Sequence, residues 1–200
     1  MLLELDNEIV RLAKSGSTEA FGVLVNHFEQ QVYRLVRIIA ACDRDAEELL
    51  EATFLRAREN LAEYEGAEKF YTWLARIAVH AAVTRLRPRH PFTRDLFDEP
   101  IDNVDAMSTP GRVQEWVQHP RRGYRKADLD AILSRALEDL DAPLRIVFAL
   151  GDIEKFSLEE IANILGLSVT AARTYWMRAR LRLRGNLSVW FENLSVSASY

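Results

Sequence analysis

Five of the six prolines, Pro88, Pro91, Pro100, Pro110 and Pro120, fall within a single stretch of the chain. Proline removes a backbone donor and clashes with the preceding turn, so no helix ladder or central strand runs through such a segment. Its apolar residues keep no sustained period either. The stretch therefore divides the chain in two, and residues 88–126 are expected to form a linker. On both sides of it apolar residues recur at three- and four-residue steps, without convincing strand alternation. The expected fold is all-α: two small helical domains, residues 1–87 and 127–187, with a tail over 188–200.

In the first domain Ile9, Leu12 and Ala13 form one stripe, broken at Gly16. A fresh cap at Ser17 opens a second, through Ala20, Phe21, Leu24, Val25 and Phe28, that continues to Val32, Leu35, Val36 and Ile39. Asp43 is expected to cap a third helix, with Ala46, Leu49, Leu50, Thr53, Phe54, Ala57 and Leu61 inward. Glu47, Glu48, Glu51 and Arg58 lie on its opposite face. Residues 64–69 read as a loop around Gly66, and a helix over 70–86 turns Arg76, His80, Thr84 and Arg87 outward.

The second domain carries the sharper signal. Ser157 followed by Glu160 is a capping box, Gly166 stops the helix it opens, and Ser168 is a good N-cap for the next. In that next helix Val169, Ala172, Trp176, Ala179 and Leu183 make the expected inward stripe. Arg173, Arg178, Arg180, Arg182 and Arg184 occupy the other side, with no acid between Arg173 and Arg184. A short capped helix, a glycine turn and a basic second helix read as a helix-turn-helix. With Ser168 as N-cap, Thr170, Arg173, Thr174, Met177 and Arg178 face outward, towards a major groove. Just upstream, Pro143 is expected to start a helix and Gly151 to end it.

Composition limits what this reader does alone. The formal net charge is −4, so any nucleic-acid surface is local. Cys42 is the single cysteine, which rules out an internal disulfide and argues against a cysteine-based zinc site. It is expected to be a small, at least half-buried hydrophobe. The first ten residues carry acids within their apolar run and do not read as a signal peptide, and no apolar stretch is long enough to insert in a membrane. His27, His80, His90 and His119 lie on unrelated segments without a nucleophile pattern, so no catalytic residue, metal or cofactor is indicated.

Four segments in order, 16–36, Asp45–Ala57, Gly66–Arg87 and Leu133–Arg184, resemble the extracytoplasmic-function (group 4) sigma factors of bacterial RNA polymerase. The resemblance implies a cytoplasmic transcription initiation factor. Its partners would be core RNA polymerase, promoter DNA and an anti-sigma factor. By position, Glu47, Glu48 and Glu51 would meet a basic coiled coil on the polymerase. Tyr64, Arg76, His80, Thr84 and Arg87 fall where the family contacts the −10 element; Ser168, Thr170, Ala171, Arg173, Thr174, Met177 and Arg178 fall where it reads the −35 element. The chain departs from the family at His80 and Thr84, usually Asn and Asp, and at Tyr175, commonly basic. Its 64–69 loop is also unusually acidic, through Glu63 beside it and Glu65 and Glu68 within it. Two other readings are a stand-alone helix-turn-helix regulator and a sigma-like interaction protein that has lost promoter melting.

Overall fold

Ser17 sets the first long element. Its hydroxyl accepts the Ala20 N–H at 3.1 Å, ending the break at Gly16 (φ +99°) and starting a 22-residue helix. In the computed structural model, which describes residues 2–40, 42–86 and 126–197, the amino-terminal body is α1 (Leu2–Lys14), α2 (Thr18–Ile39), α3 (Asp43–Glu59) and α4 (Phe70–Leu86). The carboxy-terminal body is α5 (Lys126–Glu138), α6 (Ala142–Phe148), α7 (Leu158–Leu165) and α8 (Val169–Ser197). No strand occurs among the described residues. None of their helices is long and apolar enough to cross a membrane. The expected linker up to residue 125 lies outside them, and Lys126 already belongs to α5.

Helix α2 is the spine of the first body, with Leu24, Val32, Leu35, Val36 and Ile39 at most 2% exposed and α1, α3 and α4 packed around it. The N-cap of α3 is Cys42, which makes no side-chain capping bond. Asp43, the expected cap, is the first helical residue and pairs with Arg37 instead. Cys42 is exposed, not buried, because the turn between α2 and α3 carries it away from the core.

In the second body the capping box forms in full: the Ser157 Oγ accepts the Glu160 N–H at 3.2 Å, and the Ser157 N–H donates to the Glu160 carboxylate at 2.8 Å. Gly166, at φ +67°, ends α7 as expected. The second body differs from expectation in three ways, two of them on α8. Tyr175 is buried and Val169 is 39% exposed, so the stripe is rotated by part of a turn. Helical backbone also continues past residue 187 to Ser197, through the expected tail.

The third difference involves Gly151. It does not end α6; it sits inside a π-helical turn, Ala149–Ile153, closed by the Glu154 N–H on the Ala149 carbonyl at 2.9 Å. The indole of Trp176 lies across it, and a Cβ built at Gly151 would be 2.6 Å from Trp176 Nε1. The indole N–H donates to Asp152 Oδ2 at 2.5 Å, so the ring has nowhere to retreat. Gly151→Ala is therefore expected to destabilise the protein by about 1–3 kcal/mol in urea unfolding. Gly185→Ala, where nothing lies within 4 Å of the added methyl, should be neutral or stabilising by up to about 1 kcal/mol.

Candidate functional site

On α8, the Ser168 hydroxyl accepts the Ala171 N–H at 3.1 Å, which fixes the direction in which the helix leaves the turn. Thr170, Arg173 and Met177 then point into solvent, Met177 at 57% exposure. Ala171, Thr174 and Arg178 are half-buried, and the Thr174 hydroxyl donates back to the Thr170 carbonyl at 3.0 Å. Ser168 and the five residues read as outward from sequence, with Ala171 beside them, thus lie along one partly accessible edge. A helix presenting Thr, Arg and Met beyond a clean N-terminus has the shape and donors to enter a major groove.

The arginine row is not uniform. Arg173, Arg178 and Arg182 have no carboxylate partner among the described residues, but Arg180 has one. Its Nη2 and Nε donate to Asp152 at 2.7 and 3.0 Å, and its guanidinium stacks 4.0 Å above the Trp176 ring. The carboxylate raises the Arg180 pKa further above its ordinary value. Arg180 therefore fastens α8 to the π-turn and is withdrawn from phosphate contact. Spacing in the sequence does not reveal this, because Asp152 lies on another element.

On α4, His80 and Thr84 are exposed and Arg76 is half-buried; the Thr84 hydroxyl donates to the His80 carbonyl at 2.8 Å. Arg87 lies outside the described residues. Partial desolvation of the ring, then the charges of Arg76 and Arg56, hold the His80 pKa below its usual value, so the imidazole is neutral at pH 7. Tyr64 does not join this face. It is buried against Phe70 and Trp73, and its hydroxyl donates to the Glu68 carbonyl at 2.6 Å. The acidic loop also finds its reason here: the Glu68 carboxylate accepts from Arg76 Nη2 through both oxygens, at 2.7 and 2.8 Å. Glu68 braces the loop, at the cost of occupying an arginine on the expected DNA face.

On α3, Glu47 and Glu51 are exposed one turn apart, and Leu55, one turn further, is 58% exposed. Sequence pattern alone gave Leu55 no role; an exposed leucine continuing an acidic ridge marks it as part of the same surface. Glu48 is different. Arg85 of α4 and Arg44 hold its carboxylate at 2.6 and 3.1 Å and depress its pKa. Arg85 also bonds the buried Asp45, so this cluster ties α3 to α4.

Asp152→Asn keeps an acceptor for the Trp176 indole and removes the charge that holds Arg180. At low ionic strength the variant is expected to bind non-specific duplex more tightly. The slope of log K against log salt should be steeper by about one, as measured by fluorescence anisotropy. An unchanged slope would mean that Arg180 stays in place without the charge.

Comparison with known proteins matches the two helical bodies to two separate family descriptions. The family description for sigma-70 region 2 matches residues 24–90, and that for sigma-70 region 4 matches residues 130–183. The RNA polymerase sigma-H factor of Pseudomonas aeruginosa is 26% identical over 179 residues, 88% of this chain and 91% of that one. The ECF RNA polymerase sigma-E factor of Escherichia coli (strain K12) is 30% identical over 179 residues, 88% and 90% of the two chains. A solved structure of CnrH in complex with the cytosolic domain of CnrY aligns at a TM-score of 0.63 and 25% identity, over 92% of this chain and 97% of that one. Sigma regions 2 and 4 account for the two helical bodies, and this chain belongs to the extracytoplasmic-function sigma factors, which direct RNA polymerase to promoters.

Proposed function

We propose a division of labour between the two bodies of this sigma factor. The carboxy-terminal body reads the −35 element through Thr170, Arg173, Thr174 and Met177 on α8, with Arg178 and Arg182 on flanking phosphates. The amino-terminal body docks on polymerase through Glu47, Glu51 and Leu55 of α3. It holds the opened −10 strand on the α4 face of His80 and Thr84. The protein acts beside polymerase in the cytoplasm and has no catalytic step of its own. CnrH was solved bound to the cytosolic domain of CnrY; by that likeness a protein partner of the anti-sigma kind is assigned here too.

The observation that carries this reading is the exposed, carboxylate-free edge of α8, presented by a buried tyrosine and a capped turn. A neutral His80 between two arginines suits a base edge better than a phosphate, since an uncharged imidazole both donates and accepts. Acidic side chains around an exposed leucine suit electrostatic docking on a basic partner.

Run-off transcription with core polymerase and promoters selected from a random library tests the assignment. Arg173→Ala is expected to weaken recognition of the selected −35 sequence by about 1–3 kcal/mol, while leaving core binding unchanged. Reversing Glu47 and Glu51 together should do the opposite, lowering core affinity with normal helical content. If both variants transcribe like the unaltered chain, the two surfaces lie elsewhere.

A further inference from the structure

The 64–69 loop between α3 and α4 is fastened from a third helix as well. Lys14, the last residue of α1, donates from its Nζ to the Tyr64 carbonyl at 2.7 Å, across fifty positions of sequence. Within the loop the Tyr64 hydroxyl donates to the Glu68 carbonyl at 2.6 Å. At its far end the Glu68 carboxylate accepts from Arg76 of α4 at 2.7 Å, one turn before His80. These bonds run as one chain from α1, through the loop, to the helix that presents His80 and Thr84.

Between its fastened ends the loop is open. Glu65, Gly66, Ala67 and Lys69 are exposed, Gly66 stands at φ +79°, and no atom lies within 4 Å of a Cβ built on it. The Tyr64 ring, packed on Phe70 and Trp73 at 5.3 and 5.4 Å, fixes where the loop begins. Lys14 fixes how its first carbonyl points, and it brings a positive charge to a segment that holds Glu63, Glu65 and Glu68. The family description for sigma-70 region 2 begins at residue 24, so Lys14 falls outside it.

We infer that Lys14 is a positioning residue for −10 recognition. It touches no nucleotide; it holds the 64–69 loop so that the open tip lines the strand lying on His80 and Thr84. The inference rests on the −10 assignment proposed above. Holding a base out of the stack costs free energy that the protein must offset with contacts already in place. A loop that has to order itself at that moment returns less of this energy than one ordered beforehand. Helix α1 thereby serves the −10 step without facing DNA.

The test uses the full chain bound to core polymerase, with promoters selected from a random library. Anisotropy reads affinity for a labelled −10 single strand and, separately, for a −35 duplex; 2-aminopurine in the −10 element reads opening of a closed template. Lys14→Met keeps the apolar stem and removes the donor and its charge. It is expected to lower −10 strand affinity and opening roughly tenfold, with core affinity, −35 affinity and helical content unchanged. Lys14→Arg restores a cationic donor and should recover most of the loss. Gly66→Ala strains the loop from within at positive φ, leaves α1 alone and should show the same defect, which keeps the test open should Lys14→Met lose helicity. The two changes combined should cost little more than either, because both release the same loop.

Normal −10 affinity in Lys14→Met, while His80→Ala and Thr84→Ala lose it, overturns the positioning role. Equal losses for the −10 strand, the −35 duplex and core polymerase overturn it too, since they reduce Lys14 to a residue of general stability. Should His80→Ala and Thr84→Ala bind the −10 strand like the unaltered chain, the α4 assignment itself fails. A loss confined to the −10 strand in Lys14→Met would then still place that strand on the loop, and no loss would overturn both.

Discussion

A carboxylate removed from water must be met by donors or it costs several kcal/mol, and Glu154 is met by three, all on the opposite body. The arrangement of the molecule follows from that requirement. The π-turn places Glu154 at the seam between the two bodies, Lys155 in the left-handed region (φ +61°) brings Phe156 round beside it, and Tyr71 joins the carboxylate to an aromatic stack. Burial, then the Glu154 charge, raise the Tyr71 pKa so far that its hydroxyl stays a donor throughout the physiological range. Arg34, still half in solvent, is the partner through which water reaches the pair first. The seam depends on all three donors being in place, since removing any one leaves a buried carboxylate less well met.

The same chemistry shapes the DNA-facing surfaces. An arginine is useful to a phosphate only if no carboxylate of its own protein has claimed it. Asp152 claims Arg180, Glu68 claims Arg76, and Asp45 and Glu48 claim Arg85. Each pair does structural duty: on the π-turn, on the 64–69 loop, and between α3 and α4. What remains for nucleic acid in the described part is a thin set centred on Arg173, Arg178 and Arg182. This is how a chain with a net charge of −4 carries a helix-turn-helix without becoming a general polyanion binder.

Signals confined to a few neighbouring residues were legible in the sequence. Ser17, the Ser157–Glu160 box and Gly166 act within one helical turn, and all three cap or stop helices where the spacing predicts. The choice of core face on α8 was not. Val169 and Tyr175 lie about 120° apart on the helix, on opposite flanks of the stripe through Ala172, Ala179 and Leu183, so the spacing alone allows either at its margin. The packing of α8 against the other helices of the second body buries Tyr175 and leaves Val169 outside. Asp43 lost its capping role to Arg37 in the same way, and Tyr64 turned inward because Phe70, Trp73 and the Glu68 carbonyl were waiting for it. The helical character of both flanks of the proline stretch was legible, whereas their packing against each other depends on Glu154 meeting α2 more than a hundred residues away. No local pattern encodes that contact.

The central claim is that two weak DNA contacts become one tight one only when polymerase holds both bodies in place. A gel-shift titration of promoter DNA at physiological salt, with and without core polymerase, tests it most directly. The account predicts poor binding by the isolated chain and tight, sequence-specific binding once core is added. Tight, sequence-specific binding by the chain alone would contradict it and favour a stand-alone regulator.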